Sequence, residues 1–110
     1  MIDAKLYVLQ RLSALLMAPL VLGHLFMIVY AVRDGLSAAE ILSRTQGSWG
    51  WATFYGLFVI CVSIHAAIGV RVVAADYLTG NPIVLRSLTW LIALVLLVTG
   101  FRAVWAVVVS

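Results

Sequence analysis

Three long apolar runs leave this chain little choice of fold: residues 12–32, 51–70 and 87–101, the last resuming after Arg102 and continuing to 109. Each is close to the roughly 20 residues that a helix rising about 1.5 Å per residue needs to cross a hydrocarbon core about 30 Å thick. Of the 110 residues, 65% are hydrophobic and only 10% charged, against about 45–50% and 25% in soluble domains. The chain therefore reads as an all-α integral membrane protein, a single domain over 1–110 with helices expected at about 11–32, 51–76 and 84–108. No soluble catalytic module fits into what remains.

The connections carry the turn chemistry. Ahead of the first span, "MIDAKLYVLQR" reads as a short polar or interfacial lead. Pro19 is expected to kink the first helix. The run is too long for a signal-peptide core and lacks a small-residue cleavage site, so the first helix is expected to stay in the mature protein. In "RDGLSAAEILSRTQGSWG", the segment "SAAE" has the form of a capping box that starts a short surface helix. Trp49 and Trp51 sit where an aromatic belt meets the interface, and Gly80, Asn81 and Pro82 mark a turn after the second span.

The net charge of +3 comes from a few boundary cations, which points to topology and lipid headgroups rather than nucleic acid. Lys5, Arg11, Arg71 and Arg86 fall on the N-terminal side, and Arg33, Arg44 and Arg102 on the other. Four against three leans toward a cytoplasmic N-terminus. The lone Cys61 permits no intrachain disulfide and reads as a small packing residue.

Against this apolar background two histidines stand out, His24 and His65, each about two thirds along its span. Ionisable groups at such depth are costly and mark functional sites by default. Two readings are open. Each is a neutral imidazole hydrogen-bonded to another helix, or each is an axial ligand of a heme lying between helices. At about 100° per residue, Gly69 lies within about 40° of the His65 face and Asp76 within about 20°, while Arg71 points about 120° away. Ser13 stands in the same relation to His24 as Asp76 does to His65. By rise, His24 is about 20 Å above Arg11 and His65 about 17 Å from Asp76, so the two need not share a metal. A bis-histidine heme at either level requires a ligand from a second subunit. Arg11, Arg71 and Arg102 suit either a propionate or the headgroups. Asp76 and Tyr77 suit either a quinone carbonyl or an interfacial anchor.

The same residues carry a family resemblance. "HAAIGVRVVAADY" resembles the H-x-x-x-G-x-x-x-x-x-x-D-Y signature of the small hydrophobic membrane anchors of succinate dehydrogenase, the succinate:quinone oxidoreductase of respiratory complex II. "QRLSALLMAPLVL" is similar to the segment that opens their first helix, and "GFRAVWAVV" to their third-helix close. The resemblance implies half of a heme-binding bundle completed by a partner anchor, with His65 ligating heme b. By the resemblance Arg11 would border that cofactor, and Asp76 and Tyr77 a ubiquinone or menaquinone site; by their places on the helices Gly69, Arg71 and Arg102 are expected beside the heme as well, and Ser13 beside the quinone. It further implies an iron–sulfur subunit and a flavoprotein subunit on the N-terminal side of a bacterial inner membrane. Succinate chemistry would occur there and not in this chain. His24 departs from single-heme anchors and resembles two-heme anchors, which implies a second heme. A fumarate reductase anchor, or a cofactor-free helical assembly or transport subunit, are the competing expectations.

Overall fold

The computed structural model describes residues 4–109. It contains four helices: α1 (Ala4–Asp34), α2 (Ala38–Thr45), α3 (Trp49–Tyr77) and α4 (Pro82–Val108). Three of them, α1, α3 and α4, are long and apolar enough to cross a membrane, as the composition requires. The helix α1 starts well before Arg11, because Leu6, Val8 and Leu9 continue it into the segment expected as a polar lead, and its helical residues run through Pro19 without a break.

The short connections are decided by caps. Ser37 heads α2 with the expected capping box: its Oγ accepts from the Glu40 amide at 3.2 Å, and the Ser37 amide donates to Glu40 Oε1 at 3.3 Å. The Glu40 carboxyl is held below the usual carboxylate range, chiefly by the Ser37 hydroxyl and then by the Ser37 amide. Gly35, at φ +143°, sits directly beneath that carboxyl, where a Cβ would collide with Glu40. Asn81 caps α4 by accepting from the Ile83 and Val84 amides, and Pro82 takes the first turn, where its missing N–H costs nothing.

Packing makes α3 the middle helix, in contact with both α1 and α4. Five of its residues are buried, Cys61, Ser63, Ala67, Ile68 and Ala74, against Ser13 alone in α1 and Leu85 and Val108 in α4. Small residues allow the close approach. A Cβ on Gly100 of α4 would lie 2.5 Å from Val59 Cγ1, so this crossing depends on glycine. Lipid supplies no hydrophobic drive between helices, which leaves such van der Waals contact as a main source of their association.

Two outcomes follow. Gly100→Ala is expected to weaken the α3–α4 contact by about 1–3 kcal/mol, read as easier detergent unfolding, with Val59→Ala in the same chain restoring most of the loss. Acidification is expected to loosen α2. The contribution of Glu40 is present at neutral pH and is lost as pH falls through its lowered value. Amide hydrogen exchange in α2 should accelerate there, and Ser37→Ala should accelerate it roughly five-fold at neutral pH, the effect of losing one cap.

Candidate functional site

Antiparallel pairing of α1 and α3 decides which polar groups meet. Gly23 lies against Phe54 and Ser13 against His65, so the start of α1 is level with the end of α3. His24, Ser13 and the half-buried Met17, Leu20 and Met27 share the stripe of α1 that covers α3.

At the lower level, Ser13 is almost fully buried, and its hydroxyl donates to the Gln10 carbonyl oxygen at 2.9 Å. Its one proton is then committed, so toward His65 Nδ1, 3.4 Å away, Ser13 Oγ acts as acceptor. The tautomer with its proton on Nδ1 satisfies this contact, and in it Nε2 carries the lone pair. That is how a helix-borne histidine is oriented for a metal. One turn along α3, Gly69 faces Gln10, whose Nε2 would be 3.7 Å from an added Cβ. Two buried polar atoms have no partner among the described residues, Gln10 Oε1 at this level and Arg71 Nε further along α3. Gln10 belongs to none of the sequence constellations, although its place one turn before Ser13 is the available signal.

Other expected site residues are dispersed. Asp76 is exposed, and Tyr77, 82% exposed, ends α3 at the same boundary. Arg11 is exposed on α1 with its guanidinium over the Tyr7 ring at 5.5 Å. Arg102 is exposed near the opposite end of α4 and is not brought to His65. Ser13, expected at the quinone boundary, instead sits on the His65 imidazole.

At the upper level His24 meets Tyr55 edge-on, with ring centroids 6.1 Å apart, and lies tilted over Phe58 at 4.9 Å. Trp51 stacks on Tyr55 from the next turn at 5.6 Å. Tyr55 and His65 are ten residues apart on α3, so the two histidines differ in depth by about 15 Å. This agrees with their separate levels in the sequence.

Three helices long and apolar enough to cross a membrane, with a histidine held between the first two of them, define a helical membrane protein. The family model for the succinate dehydrogenase/fumarate reductase transmembrane subunit matches residues 1–108. The chain belongs to this family, as its motifs led us to expect. None of the curated proteins and none of the solved structures compared with it matches.

The Ser13 hydroxyl is a specific point of test. Ser13→Ala is expected to free the His65 ring and broaden its imidazole NMR resonances, while Ser13→Thr keeps the acceptor and retains them.

Proposed function

We propose that this chain is the heme b-binding membrane anchor of a succinate:quinone oxidoreductase, and that it helps pass electrons from an iron–sulfur subunit to quinone. The observation that carries the reading is the Ser13–His65 contact, satisfied by the tautomer in which Nε2 of an intramembrane imidazole carries the lone pair. The surrounding groups fit a heme. Arg71 Nε is a buried donor without a partner among the described residues, which a propionate would supply, and Gln10 Oε1, whose amide lies against Gly69, is a buried acceptor. His65 would hold the iron together with a histidine of a second anchor subunit. When bound, the heme supplies a one-electron store between the iron–sulfur subunit and quinone.

The chain's own part in quinone reduction lies at the end of α3. Two electrons and two protons convert a quinone to a quinol. The Tyr77 hydroxyl is a donor suited to a quinone carbonyl, and the exposed Asp76, taking up a proton from the aqueous side as its carboxylic acid, would return one to the Tyr77 oxygen. Arg11, on the same side of the membrane, favours the charge that develops there. In this reading the iron–sulfur and flavoprotein subunits dock on that face, at the cytoplasmic side of a bacterial inner membrane. The lean of Lys5, Arg11, Arg71 and Arg86 toward it supports that orientation.

The purified complex is expected to show a b-type absorbance that disappears in His65→Ala. Its persistence would refute heme ligation by His65. Tyr77→Phe is expected to slow quinone reduction roughly 100-fold while leaving succinate oxidation by an artificial dye unchanged. Comparing the succinate-oxidising and fumarate-reducing rates of the same preparation assigns the direction.

A further inference from the structure

The one buried residue of α1 is polar: Ser13, at 4% exposure. Alanine would fill that place in the packing as well. A buried hydroxyl needs an acceptor for its proton, and the Gln10 carbonyl one turn back supplies it at 2.9 Å. What remains of the hydroxyl is the lone-pair side of Oγ, and His65 Nδ1 lies 3.4 Å from it.

The two contacts run in one direction, from the His65 ring through Ser13 to the backbone of α1. An oxygen that gives its proton to a carbonyl is a better acceptor, so the two bonds strengthen each other. The bond to its own helix also restricts the Ser13 rotamer, which keeps the acceptor in place. His24 has nothing of the kind. Its ring nitrogens have no hydrogen-bond partner among the described residues, and its neighbours are the rings of Tyr55 and Phe58, with Ile41 and Thr45 of α2 across the space beside it. Of the two intramembrane imidazoles, the structure gives an acceptor to that of His65.

For a histidine that holds iron, an acceptor on the far ring nitrogen has a defined consequence. Drawing the Nδ1 proton toward Oγ puts negative charge on the imidazole and makes Nε2 a stronger donor to the metal. The oxidised, more positive iron gains most, so the reduction potential falls. One hydrogen bond between neutral groups shifts an equilibrium roughly two- to tenfold, and tenfold is about 59 mV for a one-electron couple.

We propose that Ser13 is a positioning residue that lowers the reduction potential of the heme at His65, by accepting from Nδ1 while its own proton is committed to Gln10. This inference rests on the reading of His65 as a heme ligand. In this role Ser13 sets how firmly an electron is held between the iron–sulfur subunit and quinone, without touching the iron.

The test is a redox titration of the b-type absorbance in the assembled complex, with co-purification of the subunits verifying each variant. Ser13→Ala is expected to raise the midpoint by up to about 59 mV, the tenfold limit for one electron. Ser13→Thr and Ser13→Val then separate the hydroxyl from shape, since the two side chains are nearly isosteric. Thr keeps the acceptor and the unaltered midpoint, whereas Val raises it as Ala does. The electron paramagnetic resonance spectrum of the oxidised heme, which reports the donor strength of the axial ligands, shifts in Ala and Val and not in Thr. Met17→Leu, a packing change one turn away on the same stripe, leaves both readouts unmoved. Absence of heme from the unaltered complex would sink this inference together with the heme reading. Heme present, with Val and Thr titrating together or Ala at or below the unaltered midpoint, overturns the inference and leaves the heme reading standing. Loss of heme from Ala and Val with Thr retaining it overturns it too, since Ser13 would then hold the cofactor rather than tune it.

Discussion

In this chain α1 and α3 run antiparallel, and the register in which Ser13 meets His65 and Gly23 meets Phe54 sets the depth of every intramembrane polar group. A slide by one helical turn would move Ser13 about 5.4 Å along α3 and leave the imidazole without its acceptor. The interface tolerates little movement, because its contacts are small residues against bulky ones and lipid offers no compensating hydrophobic drive. Ser13 is therefore part of the site through its place in the packing.

From this register come two levels with opposite chemistry. Around His65 stand the committed Ser13 hydroxyl and, one turn along, Gly69 with the Gln10 amide, whose Oε1 is buried without a partner among the described residues. That environment keeps hydrogen-bonding capacity unused among the described residues. Around His24 the neighbours are the rings of Tyr55 and Phe58, with Trp51 stacked behind Tyr55, and α2, tied down by hydrogen bonds from Thr45 and Gly47 and by the Arg44–Asp34 ion pair. The same side chain at two depths thus meets different demands, set by what stands opposite.

Much of the fold is legible in the residues themselves. The three spans, the capping box at Ser37 and the turn at Asn81 and Pro82 all follow from local rules, since each depends on residues within a few positions of one another. The start of α1 is less legible. Seven residues with polar members among Leu6, Val8 and Leu9 satisfy an interfacial lead and a helical extension equally well, and only continuity with the span decides. At the site, helical angles correctly put Ser13 and His24 on one face. They do not say what that face meets. The family resemblance groups Ser13 with Asp76 and Tyr77, yet it lies across from His65. Tyr55 and Thr45 escape notice in the sequence because nothing local distinguishes them from packing residues.

What the amino-acid sequence determined by itself was therefore everything governed by composition and short spacing: the membrane class, the number of spans, the caps, the depth of each histidine and the signature that marks the family. Only the tertiary structure decided the partners across helices, namely Ser13 for His65, Tyr55 and Phe58 for His24, and α2 as the roof above them. The reason is physical. An apolar stripe fits a neighbouring helix in many registers of similar energy, and the choice among them is made by a few close contacts, such as Gly100 on Val59, whose partners lie far apart along the chain.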